Sequence, residues 1–130
     1  MVMTQADRSK YKTLYLKTAK NYIEELLSNQ SLLQTMQQSQ EAVSSVHRAA
    51  HSLASQSILM GYENIGKLSK LIEHILQEKI ENKAQLEADL LGAILESIQK
   101  MQVSISEIEK NDRELDLSQE IKKLEAYHKV

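Results

Sequence analysis

With 130 residues, 42% of them hydrophobic and 26% charged, the chain has the size of one ordinary domain with one core, and its net charge of −2 comes without any run of Lys or Arg, so neither a nucleic-acid footprint nor a polybasic membrane segment is expected. It has no Pro and only 3 Gly, where average usage would give about 6 and about 9, which argues against a β-rich or loop-rich protein. The absence of Cys excludes disulfide scaffolds, thiolate zinc sites and cysteine catalysis, and the only aromatics are five Tyr, a poor supply of stacking platforms for single-stranded nucleic acid.

The first helix is expected from about Ser9 to Ser28, with Tyr15, Ala19, Tyr22, Ile23 and Leu26 on one stripe, after a flexible N-terminus over residues 1–8. A polar, Gln-rich link follows, and either Thr35 or Ser39 is placed to cap the second helix; Thr35 with Gln38 fits a capping box. That helix carries Val43, Val46, Ala50, Leu53, Ser57 and Met60 at spacings of three and four, and Gly61 stops it. The third helix, about Glu63 to Glu81, buries Ile65, Leu68, Ile72, Ile75 and Leu76. Asn82, with Gln85 completing the box, reads as the cap of a fourth helix of roughly 28 residues, or about 40 Å at 1.5 Å per residue, bearing Leu86, Leu90, Ile94, Ile98, Met101, Ile105 and Ile108. The charged stretch from Glu107 to Glu114 breaks the pattern, and a short last helix begins near Ser118 with Ile121 and Leu124.

Four long amphipathic helices on short links pack most simply as an antiparallel bundle. The expected fold is therefore all-α: an antiparallel four-helix bundle over residues 9–110, with a charged C-terminal extension over residues 111–130 that contains the short additional helix. No apolar stretch approaches a membrane span and the N-terminus lacks a signal-peptide profile, so a soluble, cytoplasmic protein, monomeric as an isolated domain, is expected.

One dense constellation stands on the second helix: Arg48, Ala49, Ala50, His51, Ser52, Leu53, Ala54 and Ser55. On a helical wheel His51 lies about 100° from Ala50 and about 160° from Leu53, which puts it on the outer flank. Ala54 and Ser55, one turn further on, are small and leave room beside an imidazole for a bulky group or a docking protein.

These residues resemble the histidine phosphotransfer family, most closely the N-terminal phosphoacceptor domain of chemotaxis-type histidine kinases. The family pattern is Arg and His three apart, then Ser-Leu, then Gly with an aromatic ten residues after the histidine, then a helix with Leu and Glu. Here it reads Arg48-Ala49-Ala50-His51-Ser52-Leu53, then Gly61-Tyr62, then Leu68 and Glu73, without a gap. Upstream, Tyr15-Leu16, Thr18-Ala19 and Tyr22 to Leu26 resemble the first helix of the same domain, so the likeness covers about residues 10 to 110.

What the resemblance implies is a phosphoryl carrier. His51 would take a phosphoryl group on a ring nitrogen and pass it to an aspartate of a response-regulator receiver domain, while Glu73 orients the imidazole. Ser52, Ala54, Ser55, Gly61 and Tyr62 would form part of the receiver docking surface. A histidine kinase catalytic domain is the other implied partner. The chain would need no cofactor of its own, because Mg2+ and ATP come with the partner kinase or receiver. With no Gly-rich nucleotide loop it is not an ATP-using kinase by itself, although it is similar to the N-terminal part of a sensor histidine kinase.

Two departures stand out. The family's Lys three residues after the histidine and Gly four after are here Ala54 and Ser55, and the chemotaxis-type histidine three before the glutamate is Lys70. Lys70 is therefore a candidate replacement for the missing cation beside the phosphoryl group, with Arg48 a second. The alternative is a degenerate module of the same fold that docks a receiver, or serves as an adaptor, without being phosphorylated. A lone His on a helix surface is ordinarily just solvated; the register with Gly61 and Glu73 is what raises His51 above that reading. His47 and His51, one turn apart, lack a third and fourth ligand, and no metal is expected there.

Overall fold

In the computed structural model, which describes residues 4–33 and 40–128, every regular element is an α-helix: α1 (Gln5–Ser28), α2 (Gln30–Leu33), α3 (Gln40–Leu59), α4 (Glu63–Glu81), α5 (Ala88–Asn111) and α6 (Ser118–Glu125). The expected stripes become one continuous core. Ala19 and Leu26 of α1, Val46, Ala50 and Leu53 of α3, Ile65, Leu68, Ile72 and Leu76 of α4, Ile94, Ile98, Met101 and Ile108 of α5 and Leu124 of α6 are all fully enclosed. Removing water from an aliphatic side chain of this kind stabilises by about 1.5–3 kcal/mol. This burial, summed over five helices, is the main term holding them together.

Polar contacts fix how the helices slide against one another. Between α1 and α3, Tyr15 Oη and Ser57 Oγ are hydrogen-bonded at 2.8 Å inside the core, Thr18 Oγ1 donates to Gln56 Oε1 at 2.8 Å, and Ser45 Oγ donates to Glu25 Oε1 at 2.9 Å. Burial pushes the Tyr15 phenol well above its ordinary pKa, so it stays a neutral donor or acceptor. At the surface between α1 and α5, Lys12 pairs with Asp112 at 2.9 Å and Lys20 with Glu109 at 2.7 Å.

Gly61 ends α3 as its position predicts. It adopts φ 85°, its N–H donates to Ile58 O at 3.0 Å, and the N–H of Tyr62 donates to Ser57 O at 2.8 Å. Those two bonds are the paired closure of a Schellman motif, which satisfies orphan carbonyls and turns the chain straight into α4. The end of α4 uses the same device without a glycine: Lys83 stands at φ 51°, with Lys83 N–H to Ile80 O at 3.2 Å and Ala84 N–H to Lys79 O at 3.0 Å.

Several boundaries differ from the sequence expectation. The first helix starts at Gln5 rather than near Ser9, because Thr4 caps it: the Asp7 N–H donates to Thr4 Oγ1 at 3.1 Å, and the Thr4 hydroxyl donates to Asp7 Oδ2 at 2.7 Å. Residues 5–8 are thus the first turn of α1. Thr35 and Ser39, offered as caps of the next helix, lie outside the described residues. Asn82 is not the start of the fourth helix but the C-cap of α4, its N–H bonded to Glu78 O at 3.1 Å; α5 begins at Ala88, and Leu86 is buried in the connection before it. The apolar pattern of α4 carries it through Ile80, and that continuing helix outweighs a local capping-box match.

The segment after α5 is docked. Asp112, left-handed at φ 58°, ends α5, and Glu114 then accepts the N–H groups of Asn64 at 3.1 Å and Ile65 at 3.0 Å. α4 has no side-chain cap from its own N-cap residue, Tyr62. Glu114 supplies that cap from 49 residues away, a carboxylate on the positive end of a helix. Asn64 Oδ1 accepts the Leu117 N–H at 3.1 Å, and Leu117, Ile121 and Leu124 close over the core. α6 begins at Ser118, as expected.

Two stability predictions follow from these termini. Lys83→Gly removes a side chain from the left-handed region and should stabilise the fold by about 0.5–1 kcal/mol. Glu114→Ala should destabilise it by about 1–2 kcal/mol, the usual worth of a helix cap. Urea unfolding measures both; an unchanged midpoint for either variant would refute the corresponding assignment.

Candidate functional site

α3 carries His47, His51 and Ser55 at successive turns, so they share one face, and Ile58 and Leu59 continue it toward the Gly61 turn. α4 comes in alongside. Gly66 marks a close approach, since a Cβ there would lie 2.6 Å from Ile58 Cγ1. Seven residues further along α4, Glu73 reaches the imidazole: His51 Nδ1 and Glu73 Oε2 are 2.6 Å apart.

The two partners sit in different environments. The His51 side chain is 62% exposed and Glu73 only 15%. A carboxylate can only accept, so in the neutral ring the proton sits on Nδ1 and the lone pair on Nε2. Nε2 has no hydrogen-bond partner among the described residues. The chemical capacity of this arrangement is a nucleophilic nitrogen open to solvent, with ring orientation and tautomer set by a partly desolvated anion behind it.

A second histidine adjoins the same carboxylate: His47 Nε2 lies 3.9 Å from Glu73 Oε2. His74, next to Glu73 in the chain, packs its ring 5.6 Å from that of His128. Among the described residues no group of three His, Asp or Glu side chains is arranged to hold a metal ion.

The remaining residues singled out from the sequence divide. Arg48 and Lys70 are exposed and form no ion pair among the described residues. The contacts 51–73 and 58–66 bracket the pair 54–70, so Lys70 stands across from Ala54. Ser55 is exposed and its hydroxyl donates back to His51 O at 3.1 Å, Gly61 is exposed, and Ser52 is half-buried. Ala54 and Tyr62 do not belong to an outer surface: they are 3% and 2% exposed. The close packing of α4 covers Ala54. The Gly61 turn folds Tyr62 inward, its ring 5.1 Å from that of Tyr15.

In their place the face beside His51 is completed by Ile58 and Leu59, 50% and 69% exposed. The sequence held a signal for them. They are seven and eight residues beyond His51 on its own face, and they fall off the apolar stripe that ends at Met60.

No family model matches the chain. It is similar to the chemotaxis protein CheA of Bacillus subtilis (strain 168), 24% identical over 120 residues, which is 92% of this chain and 18% of that protein. It is likewise similar to the chemotaxis protein CheA of Listeria monocytogenes serovar 1/2a, 24% identical over 114 residues, 87% of this chain and 18% of that protein. The likeness to chemotaxis-type kinases read from the His51 motif therefore holds over about nine-tenths of the chain. The chain spans under a fifth of the length of these relatives.

The geometry gives a direct prediction. Glu73→Leu, which removes the acceptor, should reduce the fraction of neutral His51 protonated on Nδ1, read from the ring nitrogen shifts in a 15N-labelled sample. A tautomer ratio equal to the parent's would show that the 2.6 Å contact does not orient the ring.

Proposed function

We propose that the chain is a phosphoryl carrier of a chemotaxis-type or two-component phosphorelay, with His51 as phosphoacceptor. The observation that carries this reading is the pairing of an exposed imidazole with a covered carboxylate through Nδ1, in a chain similar to CheA. In the forward step the His51 Nε2 lone pair attacks the phosphorus of the donor. A P–N bond forms as the donor's P–O bond breaks, and the leaving oxygen keeps that electron pair. In the second step a receiver aspartate oxygen attacks the same phosphorus, and the P–N electron pair returns to Nε2. Glu73 holds the Nδ1 proton throughout and offsets positive charge on the ring while Nε2 is bonded to phosphorus.

The frame we propose for this is an antiparallel four-helix bundle of α1, α3, α4 and α5, with residues 112–125 as a docked extension. Supporting it, contacts between α1 and α3 (15–57, 18–56, 25–45), α3 and α4 (51–73, 58–66), α4 and α5 (69–101, and 79 with the N-cap 87) and α5 and α1 (109–20, and the C-cap 112 with 12) all pair rising with falling residue numbers. Lys70 takes the role of the cation that the family pattern places at position 54, approaching the phosphoryl group from α4, and Arg48 flanks it on α3. The partners are a receiver domain and the catalytic domain of a histidine kinase, which bring Mg2+ and ATP with them. The receiver docks on Ser52, Ser55, Gly61 and, replacing Ala54 and Tyr62, on Ile58 and Leu59. The cytoplasm is the compartment this reading implies; no described helix is long and apolar enough to cross a membrane.

The test is incubation with phosphorylated receiver domains and Mg2+, scoring acid-labile, base-stable phosphate on this chain. Label on the parent and none on His51→Gln is expected. Lys70→Ala should slow labelling about two- to fivefold, the worth of an exposed charge pair of up to about 1 kcal/mol. Receivers that bind but never label the chain would overturn the carrier reading in favour of a docking module. An unchanged rate for Lys70→Ala would remove Lys70 from the site.

A further inference from the structure

We propose that His47 is a positioning residue of this site, holding the Glu73 carboxylate in place for His51; the proposal rests on the phosphoacceptor reading. His47 and His51 are four apart on α3 and present their rings to the same Glu73 oxygen, Nε2 of His47 at 3.9 Å and Nδ1 of His51 at 2.6 Å. Their environments differ in the direction the roles require: the side chain of His47 is 21% exposed against 62% for His51. The covered ring stays, and the open ring is free to enter another protein's active site.

The carboxylate has reason to need a second neighbour. A carboxylate offers about four acceptor sites, and among the described residues Glu73 accepts one hydrogen bond, from His51. Partly desolvated acceptor capacity is costly when unused. At 3.9 Å His47 Nε2 is beyond hydrogen-bond length, and the positioning role requires its side chain to turn toward Glu73 and close that gap. When His51 turns outward during transfer, Glu73 would otherwise lose its partner and swing to water. His47 keeps the charge where the returning ring needs it. This gives a physical use to the pair of histidines one turn apart, which on sequence alone suggested only an incomplete metal site.

The experiment combines 15N histidine NMR, recorded where the imidazoles are neutral, with the phosphate-uptake assay and a thermal melt. His47→Leu removes the donor. His47→Asn keeps a polar side chain that is too short to reach, and so reports independently if Leu disturbs the packing. Both should lower the Nδ1-protonated fraction of His51 and slow uptake about three- to tenfold, less than the roughly 10–100-fold typical of a partner bonded directly to the functional histidine, because His47 acts one step further away. His47→Gln, whose amide N–H has comparable reach, should restore both, which a purely structural role does not predict. An unchanged or increased Nδ1-protonated fraction in the Leu and Asn variants overturns the proposal, the increase by showing that His47 competes for Glu73. The Glu73→Leu protein, which has no acceptor at this position, separates the two levels. If it too leaves the tautomer ratio unchanged, the Glu73–His51 pairing falls and the role of His47 with it, whereas the phosphoacceptor reading falls only if the parent takes no label or His51→Gln still takes it. If it lowers the ratio while the His47 variants do not, only the role of His47 falls.

Discussion

The site depends on one contact between helices: α4 brings a covered carboxylate to within 2.6 Å of an exposed ring on α3. Nothing about either helix alone produces that difference in solvation. Glu73 is sheltered because α4 lies close along α3, and α4 lies close because Gly61 turns the chain in two residues and Gly66 leaves no side chain in the way. The exposed ring can meet a partner, while the sheltered anion keeps most of its electrostatic reach in a medium less polar than water. Exchanging the two environments would bury the nucleophile and hydrate the carboxylate, and the arrangement would lose its chemical use.

The segment after α5 contributes to the same contact from a distance. Its Glu114 caps the first turn of α4, and Leu117, Ile121 and Leu124 seal the core beside it. The helix that carries Glu73 is therefore held at its start by residues that, in the sequence, look like the beginning of a charged linker. Tyr62 cannot cap that helix because the Gly61 turn commits its ring to the core against Tyr15. A carboxylate from elsewhere meets the orphan N–H groups instead.

Much of this was legible in the sequence. Residues 43, 46, 50, 53, 57 and 60 of the α3 stripe are all buried, as are 65, 68, 72, 75 and 76 of α4; apolar periodicity reports burial directly because each helix has one inward face. Gly61 was readable because few residues other than Gly take φ 85° at low cost. The His51–Glu73 contact was readable through a family-like spacing that joins one helix to the next. What was lost depended on tertiary context. Asn82 satisfies a capping pattern, but α4 simply continues past the point where a new helix would begin. Ala54 looks like open space beside the histidine, and only the approach of α4 shows that the space is filled. Glu114 gave no signal at all, since its partners are 49 and 50 residues earlier. The cap at Thr4, by contrast, has a signal in the sequence, Thr4 with Asp7 three residues on.

The most direct test of this account is to identify which ring nitrogen carries the phosphoryl group. With Glu73 holding the proton on Nδ1, only Nε2 has a lone pair to offer, so phosphorus–nitrogen coupling in the phosphorylated, 15N-labelled protein should place the phosphorus on Nε2 of His51. Phosphorus on Nδ1 of His51, or on any other histidine, would contradict it.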